Sequence, residues 1–108
     1  MSEGPPTDEP VRGDMGSPAS MARRIARICN QRGLHARAAA RFVKTVGQFD
    51  AEVWVRKNGT KVPGNEILEL LLLEAPPGTV IELTATGPQA EAAVTALARL
   101  IECKFDED

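Results

Sequence analysis

The sequence predicts an α+β fold: an open-faced β-sandwich, with a four-stranded antiparallel sheet covered on one face by three helices, in the order β-α-β-β-α-β-α. Three observations predict it. Apolar residues recur at helical spacing in two segments, Ala39-Phe42-Val43-Val46 and Ala90-Ala93-Val94-Leu97-Ile101. Residues 51–56 and 79–85 instead alternate apolar and polar side chains, the period of a strand with one face buried. The first of these runs into Asn58-Gly59, a strong hairpin signal, because both residues tolerate φ > 0. Strands with one apolar face need a sheet with helices on one side and water on the other.

The elements follow in order. Residues 22–28 read as a strand with Ala26 and Ile28 on one face and arginines on the other. A loop, 29–34, is punctuated by Gly33. The helix that begins after His35 carries the first apolar stripe, sets Arg37, Arg41 and Lys44 on its opposite face, and ends at Gly47 as a C-cap. In strand 51–56 Ala51, Val53 and Val55 share a face, so Trp54 points the other way. The return strand, 60–62, stops at Pro63-Gly64. A short helix over 67–73 opens at Asn65 or Glu66, and Pro76-Pro77-Gly78 is a turn. Strand 79–85 turns Ile81, Leu83 and Ala85 inward. Gly87-Pro88 starts the last helix, where proline suits the first turn.

At 108 residues the chain is long enough for one domain with one core. Aromatic residues make up only 4%, so that core must be aliphatic. Residues 1–20 are rich in Pro, Gly and Ser with four acids and one base, and are expected to form a disordered tail before a folded domain at 21–108. Met21 is a second candidate start. No repeat is present. No apolar run reaches spanning length and no signal-peptide core precedes the domain, so no membrane insertion is expected. Cys29 and Cys103 fit no CxxC or zinc spacing, which predicts no metal site, no cofactor, and reduced thiols in a cytoplasmic monomer.

The net charge of −2 hides an asymmetry. Residues 21–47 carry Arg23, Arg24, Arg27, Arg32, Arg37, Arg41 and Lys44 and no acid, whereas 48–108 hold five bases and eleven acids. Such a field favours an anionic ligand or a steered acidic partner. Nucleic acid fits less well, because the only aromatic residue in the basic segment, Phe42, belongs to the core stripe.

His35, the only histidine, lies where the loop ends and the helix begins. A single histidine is more often a plain surface or core residue than a reactive one. Here the helix start supplies unpaired N–H groups and positive potential. Arg37 supplies a guanidinium, and the backbone N–H groups of Ala36 and Arg37 are placed to bind oxyanions. This is equipment for carrying a phosphoryl group on a ring nitrogen. The positive surround also disfavours adding a proton to the ring, which keeps it nucleophilic.

The segment Gly33-Leu34-His35-Ala36-Arg37-Ala38-Ala39-Ala40-Arg41-Phe42-Val43-Lys44 resembles the active-site segment of HPr, the histidine-containing phosphocarrier family of the bacterial phosphotransferase system. The resemblance continues through Asp50-Ala51-Glu52-Val53, Asn58-Gly59, the 67–73 run and Gly78-Thr79-Val80, and covers about 22–104. It implies the fold above. It also implies a carrier, not an enzyme: His35 is phosphorylated on Nδ1 by enzyme I at the expense of phosphoenolpyruvate, and the group passes to an enzyme IIA-type acceptor. A regulatory, nitrogen-type HPr-like role through phosphorylation-dependent binding is the alternative.

The resemblance assigns Arg37 to the phosphate, and Ile67, Leu68 and Leu71 to partner docking, with Arg41 and Lys44 beside them. For Arg41 and Lys44 a merely solvated helix face is an equal reading. Ala38 departs from the usual proline; alanine preserves the helix but presets its first turn less rigidly. Glu66 departs from the serine that a dedicated HPr kinase modifies in many members. It brings a standing negative charge that favours a helix N-terminus by about 0.3–1 kcal/mol, or imitates the phosphorylated state.

Overall fold

The structure, a computed structural model, describes residues 20–107. The predicted tail, apart from Ser20, lies outside the described residues. Among the described residues the order is β1 (Met21–Arg27), α1 (Ala36–Val46), β2 (Glu52–Lys57), β3 (Thr60–Pro63), α2 (Ile67–Leu72), β4 (Val80–Thr86) and α3 (Ala90–Glu102), with a 3-10 turn at Lys104–Asp106. The strands form one antiparallel sheet in the order β1-β4-β2-β3. This is the open-faced sandwich that the periodicities predict.

Register sets which side chains meet. Ala22 and Val53 both pair with Ala85, and Val55 pairs with Leu83 on one side and Val62 on the other. These residues are buried and face the helices. Their neighbours along each strand face water. Phe42 of α1, Leu70 of α2, and Val94, Leu97 and Ile101 of α3 close the core from above. Full burial of one such side chain contributes roughly 1.5–3 kcal/mol. A surface pair contributes about 0–1 kcal/mol, so the core holds the fold.

Four details go beyond the sequence expectation or differ from it. Arg24 is not on the open face with the other arginines. It shares the inner face with Ala22 and Ala26, and its guanidinium crosses to α3, 3.4 Å from Glu91 Oε2 and 3.1 Å from Thr95 Oγ1. A long stem lets arginine line an apolar face while its head reaches the rim. Gly47 is the C-cap of α1 as the sequence predicts, with φ −67° instead of a left-handed conformation, and the chain continues in tight turns through Gln48 N–H to Thr45 O and Phe49 N–H to Val46 O. Pro88 precedes α3 instead of sitting in its first turn, because the cap is Gln89, whose N–H donates to Asp50 O. Finally, the chain does not stop at α3. Phe105 folds back and is fully buried.

Trp54 lies on the open face, paired with Thr84 and Pro63 and half-buried, with Lys61 Nζ 5.0 Å from the ring centre. Arg23 and Arg56 share the carboxylate of Glu82 on the same face.

Candidate functional site

The site begins with the loop that leaves β1. Ile28 N–H donates to Thr79 O and Gly78 N–H to Ile28 O, which pins the loop beside the turn before β4. Asn30 is fully buried; its Nδ2 donates to Gly33 O at 2.7 Å and closes the loop on itself. Gly33 has φ +71°, and a Cβ there would lie 2.7 Å from Ala75 O and 2.9 Å from Pro76 Cα. Only glycine permits both that backbone and that approach. Leu34 N–H then donates to Ala75 O at 2.9 Å, and His35 N–H to Gly33 O at 2.9 Å. His35 is thus set by backbone contacts on both sides of the loop.

His35 is the N-cap of α1, with extended backbone at φ −89° and ψ −176°. Its carbonyl accepts the first intrahelical bond from Ala39 N–H at 2.8 Å. Its side chain accepts as well: Arg37 N–H points at Nδ1, 3.3 Å away. A nitrogen that accepts from an amide holds a lone pair, so the ring proton belongs on Nε2. There it donates to both oxygens of Glu107, at 2.8 and 2.9 Å. The His35 side chain is 18% exposed and that of Glu107 only 6%.

Glu107 corrects one sequence expectation. The ring was expected among positive groups alone, but an acid 72 positions away sits on Nε2. The hydrogen bond from His35 holds the Glu107 carboxyl below its usual range; burial opposes this, and positive charge on the ring whenever it is protonated, the Asn30 side chain and the charge of Arg37 add to it. The acid arrives through a strained turn. Lys104, Phe105 and Asp106 have φ of 57°, 55° and 61°, and the left-handed region costs a residue with a Cβ about 1–2 kcal/mol. Buried Phe105 offsets about 1.5–3 kcal/mol of that. Further ties are Arg41 Nη1 to Phe105 O, Asp106 N–H to Cys103 O and Glu107 N–H to Lys104 O.

The other candidate residues divide. Arg37 and Lys44 are exposed. Arg41 is half-buried, and its bond to Phe105 gives it an internal role in place of the expected free charge. Ala36 is exposed at the first helical position, where its N–H has no intrahelical carbonyl to meet. Ala38 is fully buried. In α2 Leu70 is buried, as is Leu73 just past its end, while Ile67 is 39% exposed and Leu68 and Leu72 are each 73% exposed. Leu71, expected with Ile67 and Leu68 to dock partners, is half-buried; a helix of six residues can turn only one side inward, and Leu72 takes the exposed position. Glu66 is the N-cap of α2, but its side chain makes no capping hydrogen bond.

Sequence reasoning missed Glu107, Asn30 and Phe105. Phe105 had a signal: it is one of three phenylalanines in an aromatic-poor chain, set among Lys104, Asp106 and Glu107. Glu107 had none, since no spacing rule links it to His35. Among the described residues no helix is long and apolar enough to cross a membrane.

The assembled groups are a ring nitrogen with an open lone pair, N–H groups at a helix start, and a nearby guanidinium. They suit reversible attachment of a phosphoryl group. Comparison with known proteins agrees in kind. A family model described as the PTS HPr component phosphorylation site matches residues 22–103. Phosphocarrier protein HPr of Neisseria meningitidis (serogroup A) is 45% identical over 87 residues, which is 81% of this chain and 98% of that protein. Phosphocarrier protein NPr of Escherichia coli (strain K12) is 43% identical over 82 residues, 75% of this chain and 91% of that protein. The crystal structure of HPr from Thermoanaerobacter tengcongensis superposes with a TM-score of 0.77 at 40% identity, covering 81% of this chain and 98% of that one. By sequence match and by architecture, the chain belongs to the HPr family of phosphocarrier proteins.

Proposed function

We propose that His35 is the phosphoryl-carrying residue, that it is charged on Nδ1 by phosphorylated enzyme I drawing on phosphoenolpyruvate, and that it hands the group to an enzyme IIA-type acceptor in the cytoplasm. The observation that carries this reading is the cap geometry. Nδ1 presents its lone pair to the N-terminus of α1, where Arg37 N–H already approaches it. A phosphoryl group on Nδ1 replaces that lone pair with anionic oxygens, which are stronger acceptors for the same amide and for Ala36 N–H. The Arg37 guanidinium adds a charge-assisted contact. The helix end therefore gains by the modification, and the bond stays labile enough to pass on.

Docking is assigned to the exposed apolar residues Ile67, Leu68 and Leu72 with Leu71 at their margin, and to the cations Arg37 and Lys44. Acidic partner surfaces suit this rim. The regulatory, nitrogen-type reading has its own support in the similarity to an NPr protein and in Glu66, which leaves an HPr kinase no hydroxyl to modify.

The test is labelling with enzyme I and radioactive phosphoenolpyruvate. Wild-type protein is expected to take up a label that is lost in acid and survives in base. His35→Ala is expected to abolish it with the circular dichroism spectrum unchanged. An acid-stable label, or one that persists in His35→Ala, sinks the proposal. Adding candidate IIA proteins then separates a relay, in which label moves on, from a regulator, which binds without transferring.

A further inference from the structure

We propose that Glu107 is a positioning residue for phosphoryl transfer: its carboxylate keeps the ring proton on Nε2 throughout the cycle, which leaves Nδ1 open as nucleophile and balances the ring's charge while the phosphoryl group is carried. This rests on the reading of His35 as the carrier residue.

Two independent contacts assign the proton. Both carboxylate oxygens lie within 2.9 Å of Nε2, and a backbone N–H faces Nδ1 at 3.3 Å. A neutral imidazole has one donor and one acceptor nitrogen, and this surround accommodates only one arrangement. Without the carboxylate the two tautomers compete, and the form with its proton on Nδ1 has no lone pair there to attack phosphorus.

The same contact serves both half-reactions. The lone pair of Nδ1 attacks the phosphorus of the donor's phosphohistidine. A new Nδ1–P bond forms, the donor's N–P bond breaks, and its electron pair returns to the donor's ring nitrogen. The His35 ring now carries a positive charge and still holds its Nε2 proton. In the second half the acceptor nucleophile attacks phosphorus, the Nδ1–P pair returns to Nδ1, and the ring is neutral with the proton where it began. No proton needs to enter or leave His35. A carboxylate beside Nε2 stabilises the charged, carrying state, and a protonated ring is also the better leaving group.

The surrounding groups bear on the charge at this pair. From α1 come Arg37, whose charge acts on Glu107, and Arg41, held to Phe105 O. Cys29, Gln31 and Lys104 share a cleft wall with Glu107, and the buried Asn30 side chain, whose Nδ2 donates to Gly33 O, helps to lower its carboxyl. The turn that delivers the acid is specified by buried Phe105 and by the bond from Arg41.

The test uses the full chain with Glu107→Ala and Glu107→Gln. The ring tautomer is read by nitrogen-15 NMR of the histidine, and the rate of labelling by enzyme I is measured across pH. Wild type is expected to show the Nε2–H form. Glu107→Ala is expected to show a mixture of tautomers and about a 10-fold slower transfer, the lower end of what a metal-bound histidine loses with its orienting partner. Glu107→Gln retains an oxygen acceptor but no charge, so it is expected to keep the tautomer while its phosphorylated form loses the Nε2 proton at lower pH than wild type. Wild-type rate and tautomer in Glu107→Ala overturn the proposal. So does slow transfer with the wild-type tautomer, which assigns Glu107 a merely structural part. If wild type itself takes no label on His35, the carrier reading fails instead, and the two failures are distinct.

Discussion

Replacing Gly33 with alanine isolates the contact that seats the His35 loop. Gly33 has φ +71°, and the new Cβ meets Ala75 O at 2.7 Å and Pro76 Cα at 2.9 Å. Both are backbone atoms, so no flexible side chain can swing aside. The left-handed backbone costs alanine about 1–2 kcal/mol. Forcing a methyl into occupied space adds about 1–3 kcal/mol. The expected loss is about 2–5 kcal/mol, or a melting temperature lower by at least about 8 °C for a domain of this size. Gly78→Ala is the control, since Gly78 has φ +93° but its Cβ would meet nothing within 4 Å. It bears the backbone cost without the clash. Urea unfolding of both variants gives the difference directly. Labelling by enzyme I, at a temperature where both are folded, reads whether His35 has moved. We expect Gly33→Ala to be the less stable and the slower to label. If it is no less stable than Gly78→Ala, the contact with Ala75 and Pro76 does not hold the loop and the reasoning fails.

Three further outcomes are expected. Trp54, half-buried on the open face with Lys61 at 5.0 Å, should be quenched more by iodide than by caesium, because the lysine attracts the anion; equal protection from both means the ring is covered. Glu82 is held below the usual carboxylate range, first by the hydrogen bond from Arg23, with burial opposing and the charges of Arg23, Arg56 and Lys61 adding. Its contribution is therefore full above the unfolded value of about 4.3 and lost as pH falls through the lower folded value, so Glu82→Gln should flatten the fall of stability with acid, and an unchanged slope counts against it. Leu68→Ser and Leu72→Ser change residues that are each 73% exposed. They should alter stability by no more than about 0.5 kcal/mol while raising the KM for transfer from enzyme I; an unchanged KM removes α2 from the docking surface.

The sequence by itself determined the order of elements, the faces of β2 and β4, the outward direction of Trp54 and the place of His35 at a helix start. These are local properties. Periods of 2 and 3.6, the Asn58-Gly59 turn and the position of Gly33 act over a few residues, and the backbone responds to them wherever the segment lies. The tertiary structure alone decided what meets across the chain. Arg24 shares a strand face with Ala22 and Ala26, but only the packing of α3 on β1 gives it Glu91 and Thr95. Leu71 and Leu72 look alike in a run of leucines, and only the tilt of α2 makes one half-buried and the other exposed. Glu107 reaches His35 because Phe105 needs burial and the core has room for it beneath α1 and α3. The place of His35 was therefore legible from its helix, whereas the Glu107 carboxylate beside its ring was fixed by packing, since apolar burial is non-directional and carries no sequence spacing.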